Sequence, residues 1–252
     1  MSKKTNYSYV GVSFIVLLFG IYFVPKIIDR VSNEDVARDE SRSEDINLNP
    51  KKKPGSLSDL HFIEINGNRK KVPEFSFTDQ NGETVSNKDY EGKVYVIEFF
   101  FTACPTICPR MNANMVEIQN RFPNEKNFGI ASFSITPQTD TPEVLKAYAE
   151  KNGATHPNWH FLTGDRNEIY KLANEGFYLY TAKDESADGG FEHSGNFALI
   201  DKNGFIRSRS DSQGSPIIYY NGIISEAEKT DDEGMEQQIT MLKEDIAKLL
   251  KE

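Results

Sequence analysis

The chain has 252 residues, 38% of them hydrophobic and 27% charged, with a formal net charge of -9. That length holds one large domain or two small ones, and the apolar share is enough for a core. The acidic balance argues against a nucleic-acid partner, because phosphate binding needs concentrated Lys and Arg and no basic stripe with interleaved aromatics occurs.

Lys3 and Lys4 precede an uncharged apolar run from Tyr7 to Val24. A membrane-crossing helix needs about 20 such residues, and Ile27 and Ile28 extend the run if Lys26 snorkels. Tyr7, Tyr9 and Tyr22 suit the interfacial belts. No Ala-x-Ala-like cleavage site follows, so residues 1–28 are expected to form a cytoplasmic tip and an uncleaved single transmembrane anchor rather than a signal peptide. The expected location is the cell membrane, single-pass, with the remainder on the periplasmic side. Residues 29–58 are rich in charge, Ser and Asn and lack large apolar side chains, the composition of a flexible linker. The folded domain is then expected over residues 59–252.

Within it, Asn66-Gly67 and Asn81-Gly82 each sit between alternating apolar residues and read as hairpin turns. Val94 to Phe101 is almost continuously apolar, as in a central strand buried on both faces. A helix is expected directly afterwards, with Pro105 in its first turn, Pro109 distorting that turn, and Met111, Met115, Ile118 and Phe122 at helical period. A strand over 128–135 and a helix opened by Thr141-Pro142 come next. Trp159 to Leu162 reads as another strand, and Arg166 to Asn174 as a helix closed near Gly176. A hairpin around Asp201-Lys202-Asn203-Gly204 and an amphipathic helix over 235–250 complete the chain. Strands alternating with helices and a late hairpin define an α/β domain with a mixed central sheet flanked by helices.

The chain has only two cysteines, Cys104 and Cys108, just beyond the apolar strand. A disulfide scaffold would use more and spread them, so this pair points to redox chemistry or a soft metal. Open α/β sheets place their sites at the carboxyl ends of strands. Residues i and i+4 share a helix face, and a helix amino terminus favours the thiolate. The spacing is one residue longer than Cys-x-x-Cys, yet still within reach of a disulfide. Two thiolates make a poor zinc site, whereas thiolates with one imidazole suit copper, Cu(I) above all. Met111 and Met115 could add thioethers, but Met at helical spacing ordinarily fills core.

The stretch FFFTACPTICPRM resembles the Thr-x-Cys-Pro-x-x-Cys-Pro signature of the Sco (SenC) family, thioredoxin-fold proteins implicated in copper delivery to cytochrome c oxidase. PEFSFTDQNGETVSNKDYEGK, SITPQTDTPEVLKAY, NWHFLTGD and FEHSGNFALIDKNGFIR are similar to further family segments in order. The resemblance implies a thioredoxin-like fold and a copper site of Cys104, Cys108 and His193. His61, His156 and His160 are the other histidines, without such a match. Two positions depart from the pattern: Thr136 and Glu192 stand where Asp is frequent. The implied function is a copper metallochaperone rather than a strict enzyme. It would hold Cu(I), with Cu(II) as a second form, and serve a copper-site subunit of a respiratory oxidase or another thiol protein. The rival is a thiol:disulfide oxidoreductase with Cys104 attacking and Cys108 resolving, for which His193 is dispensable. A peroxidase is weaker, because no Thr/Arg peroxide-binding pattern surrounds the cysteines.

Overall fold

The computed structural model describes residues 60–179, 181–183, 191–210 and 217–252, together with Leu17, Phe19, Tyr22 and Phe23; the side chains of Lys183, Phe191, Glu192 and His193 lie outside that description. The chain divides into two units, Met1–Asn47 and Leu48–Glu252. In the first, the four described residues are helical and exposed, with Phe19 and Phe23 stacked at 4.2 Å. Among the described residues no helix is long and apolar enough to cross a membrane. Apart from those four residues, the expected anchor over 1–28 and linker over 29–58 lie outside the description.

The second unit begins with short strands β1 (His61–Phe62), β2 (Glu64–Ile65), β3 (Asn68–Arg69), β4 (Ser76–Thr78) and β5 (Thr84–Ser86). A 3-10 turn at Asn87–Tyr90 leads into β6 (Val94–Phe100), α1 (Ile107–Arg121), β7 (Phe128–Ser134), α2 (Pro142–Asn152) and β8 (Trp159–Leu162). Then come α3 (Arg166–Lys171), a π-type turn at Leu172–Gly176, β9 (Thr181–Lys183), β10 (Phe191–His193), β11 (Asn196–Ile200), β12 (Ile206–Ser208), β13 (Tyr220–Asn221) and α4 (Ile239–Leu249).

The main sheet runs β1-β12-β11-β6-β7-β8, with β13 paired to β11. β6, β7 and β8 are parallel, and β11 is antiparallel to β6, so the sheet is mixed as expected. Every residue of β6 and β7 is buried, which accounts for their unbroken apolar character. Successive right-handed crossovers in one direction put α1 and α2 on one face, where Phe100 meets Tyr148 at 5.4 Å and Phe128 meets Phe122 at 5.2 Å. The other face carries Phe99 and Phe133, covered by Phe75 and Phe77 of the β4–β5 hairpin. Tyr90 from the 3-10 turn stacks on Tyr95 at 4.5 Å there.

Both Asn-Gly turns form, joining β2 to β3 and β4 to β5. α2 starts as its sequence dictates: Thr141 caps Val144, Pro142 takes the first position, and Gly153 closes the helix at φ 75°. The helix after the cysteine motif differs from expectation. It begins at Ile107, with Thr106 at the N-cap position, so Pro105 and Cys104 lie in the preceding turn. Pro109 then falls at the third helical position. An N–H there has no intrahelical partner in any helix, so the proline forfeits no helical bond. Its constraint falls on Cys108 before it, and the helix is entered through an irregular, uncapped Thr106.

A dithiol turn at the end of the central strand

β6 ends at Phe100 and the chain enters the turn 101–106, which carries Cys104; Cys108 follows in the first turn of α1. The sulfurs are brought together by backbone rather than by a shared helix face. The Cys108 main-chain N–H points at Cys104 Sγ at 3.5 Å, and Thr106 Oγ1 lies 3.8 Å from the same sulfur. Both cysteines are free thiols; Cys104 retains 7% of its surface and Cys108 1%. The thiolate expected at the helix start does not hold for Cys108. Its hydrogen bond with Cys104, and then burial, push that thiol far above the usual range, against a smaller opposing pull from the Phe101 backbone. Two sulfurs sharing one pocket keep a proton until a cation or a disulfide bond takes its place.

Asp140 holds the turn in position. Its wholly buried carboxyl accepts from the Thr102 N–H at 3.1 Å, Thr102 Oγ1 at 2.6 Å, Ser134 Oγ at 2.5 Å and Thr136 Oγ1 at 3.0 Å. Thr136, where the family pattern often has Asp, is thus a buried donor to a carboxyl four residues on. Beneath α1, Asn112 donates to the Cys108 carbonyl at 2.9 Å and meets the Tyr148 hydroxyl at 2.5 Å. Burial, and then the charges Cys108 and Glu98 would carry, raise the Tyr148 phenol above its ordinary range. Glu98 sits fully buried in the middle of β6, accepting from Ser132 Oγ at 2.6 Å; Ser132 in turn accepts from the Trp159 indole at 2.9 Å.

His193 reaches the neighbourhood by topology. It ends β10, opposite Thr181 of β9, and β11 starts at Asn196. Because β11 is antiparallel to β6, Asn196 lies at the end where β6 finishes. Gly195 lies closer still: a Cβ there would stand 3.7 Å from Ile107 Cδ1, next to Cys108, and 2.2 Å from Ile223 Cδ1. Any side chain at 195 would require Ile223 to swing aside. The His193 side chain is outside the described residues, and among those described no cluster of three or more His, Cys, Asp or Glu side chains is arranged to hold a metal ion.

The other candidates lie in ordinary structural surroundings. Met111 and Met115 are wholly buried core. His61 is on the edge strand β1, paired with Ser208. His156 packs on Phe128, and His160 Nδ1 lies 3.2 Å from Asp79 Oδ2. Asp140, Glu98, Asn112 and Tyr148 were not singled out from sequence. Glu98 had a visible signal, as the one carboxylate in an apolar strand.

A mixed sheet whose central strand delivers two buried free thiols into a helix start defines a dithiol protein of thioredoxin-like architecture. The SCO1/SenC family model matches residues 64–228, and the chain belongs to that family. A Bacillus subtilis SCO1 protein homolog is 35% identical over 157 residues, 62% of this chain and 80% of that protein. A Stutzerimonas stutzeri protein named as a putative copper-binding protein is 31% identical over 139 residues, 54% of this chain and 67% of that one. The solved structure of BsSco is described as containing a disulfide switch and as a member of the Sco family of cytochrome c oxidase assembly proteins. It superposes with a TM-score of 0.57 at 29% identity, over 72% of this chain and 94% of its own.

Proposed function

We propose that this chain is a copper metallochaperone whose cargo, Cu(I), is held by Cys104, Cys108 and His193. It would be handed by ligand exchange to a copper-site subunit of a respiratory oxidase or to another thiol protein. The observation that carries this reading is the pair of reduced sulfurs gathered by the Cys108 N–H at the end of β6. Soft sulfur ligands favour Cu(I), and the name of the Stutzerimonas relative supports copper as the cargo. The course of the backbone from β10 past Ile107 supports His193 as the third ligand. Each coordinating thiol must lose its proton, so loading releases protons and tightens as pH rises. Residues 1–28 anchor the chain in the cell membrane, residues 29–58 act as the linker, and residues 59–252 work on the periplasmic side.

Copper analysis of the reduced full chain after Cu(I) loading tests this. One copper per chain is expected, with retention lost in Cys104→Ser and Cys108→Ser and at least tenfold weaker binding in His193→Ala. Unchanged stoichiometry and affinity in all three variants would refute it.

A second reading, thiol:disulfide oxidoreductase, draws on the greater exposure of Cys104 than of Cys108 and on the disulfide switch described for BsSco. Cys104 would attack a partner disulfide and Cys108 would resolve the mixed disulfide, leaving the partner reduced and this pair oxidised. Insulin reduction that is insensitive to His193→Ala, with no copper retained, would favour it.

A further inference from the structure

β4 has one side that the fold does not use. The Asp79 N–H donates to the Glu83 carbonyl at 2.8 Å, and the register pairs Phe77 with Val85 and Ser76 with Ser86. Bonded and non-bonded pairs alternate in an antiparallel ladder, so residues 77 and 79 bond toward β5 while 74, 76 and 78 face away. Thr78 follows that rule, exchanging bonds of 2.9 and 2.8 Å with Thr163. Ser86 follows it too, its N–H going to Asp89 Oδ2 at 2.7 Å instead of across the ladder. Thr163 is the only described residue that pairs on this outer side. The main-chain N–H and C=O groups of Glu74 and Ser76 have no hydrogen-bond partner among the described residues, and both residues are exposed.

These groups face a groove of about 680 Å³ between β4 and the segment from α3 through the π-type turn. Phe75, Phe77 and Leu172 line its apolar part. Its charged lining is Glu74, Glu168 and Glu175 against the single cation Lys171. An exposed strand edge beside an apolar trough is the setting for strand addition, in which main-chain bonds supply affinity and alternate side chains supply selectivity.

We propose that this groove binds an extended segment of a partner protein in which Lys or Arg alternates with apolar residues, added as a strand outside β4. The main-chain groups of Glu74 and Ser76 pair with the segment, the trough takes its apolar side chains, and the three glutamates favour its cations. This surface is separate from the dithiol turn and extends the function proposed above to a docking contact independent of copper.

The test uses the full chain and two synthetic hexapeptides, Lys-Val-Lys-Val-Lys-Val and Glu-Val-Glu-Val-Glu-Val, acetylated and amidated, followed by amide NMR shifts and calorimetry. The basic peptide is expected to bind saturably, to shift the amides of residues 74–78, and to bind equally well to the Cys104→Ser/Cys108→Ser double variant. Ser76→Pro removes only an N–H that the fold leaves unused, as edge strands allow, and should weaken binding at least tenfold. Glu175→Lys should weaken it at least threefold. A basic peptide N-methylated at alternate residues gives an independent reading on unaltered protein: one phase of methylation should abolish binding and the other preserve it. Equal binding of the acidic peptide, indifference to both Ser76→Pro and methylation phase, or no saturable shift at millimolar peptide would overturn the proposal. So would self-association abolished by Ser76→Pro, which would assign the groove to a second copy of this chain.

Discussion

Asp140 and Asp245 are both completely shielded from solvent, yet they are satisfied in opposite ways. At the dithiol turn, Asp140 gathers three hydroxyls and one backbone N–H, with no cation paired to it among the described residues. At the carboxy-terminal helix, Asp245 takes both Nε and a terminal nitrogen of Arg209, at 2.5 Å each, with Tyr220 and Lys248 adding bonds at 2.8 and 3.1 Å. The first arrangement fixes a short loop with directional, uncharged donors. The second fastens α4 to the chain just past β12 with a buried ion pair, backed by the exposed Glu244 carboxylate 3.0 Å from Arg209. One governs geometry near the sulfurs, and the other governs whether the domain holds together.

The sharpest way to break this contrast is Asp245→Ala. Removing the bidentate carboxylate leaves Arg209, among the described residues, only the exposed Glu244 carboxylate at 3.0 Å and the Met241 carbonyl at 3.1 Å. The loss is about 3 kcal/mol, which denaturant titration should register, while copper affinity per folded molecule stays within twofold. Asp140→Asn should show the reverse emphasis. Losing a buried acceptor of this kind costs about 1.5–3 kcal/mol, but Cu(I) affinity should drop about tenfold because Thr102 no longer fixes the Cys104 turn. Equal copper losses in the two variants would erase the distinction.

Raising the pH probes both regions at once. Cys108, Tyr148 and Tyr220 are all held protonated by burial and their neighbours. The unfolded chain releases those protons near 9.0 for the thiol and 10.0 for the phenols, whereas the folded chain retains them. The unfolded state then binds fewer protons, so stability of the metal-free protein falls as pH rises past those values. Cys108→Ala should move the onset of that fall from about 9 toward 10, read by thermal unfolding against pH.

The smallest effect lies on the acid side and outside both regions. Burial lowers the His156 pKa below 6.5, so its contribution is intact above 6.5 and fades as pH falls through the folded value. His156→Gln should flatten the stability profile slightly as pH falls below 6.5 and leave copper binding unchanged.

Much of the fold was legible because local chemistry and global packing agree. The apolar run of β6, the two Asn-Gly turns and the Thr141-Pro142 start each announce one structure and adopt it. The cysteine positions were equally plain, as a sulfur pair between an apolar strand and a helical period. What escaped was decided at a distance. β9 and β10, the hairpin that carries His193, mix Thr, Lys, Glu and His and have no periodicity to separate them from a loop. The burial of Asp140 depends on hydroxyls of β7 and of the turn after β6, and that of Glu98 on Ser132 and Trp159, none of which its own neighbours reveal. The helix start was misplaced by two residues because two closely spaced prolines each suit a first turn, and only the N-cap geometry at Thr106 selects between them.

Asp140 has one further consequence, because it immediately precedes the Thr141 cap. The carboxyl that grips Thr102 also marks the start of α2, and two turns along that helix Tyr148 meets Asn112, which reaches the Cys108 carbonyl. The turn that bears Cys104 and the main-chain carbonyl of Cys108 are therefore both moored to one helix, at its start and about two turns along it. The seating of both segments is gauged by a helix that carries neither cysteine, and a shift of α2 would retune the jaw without altering either sulfur.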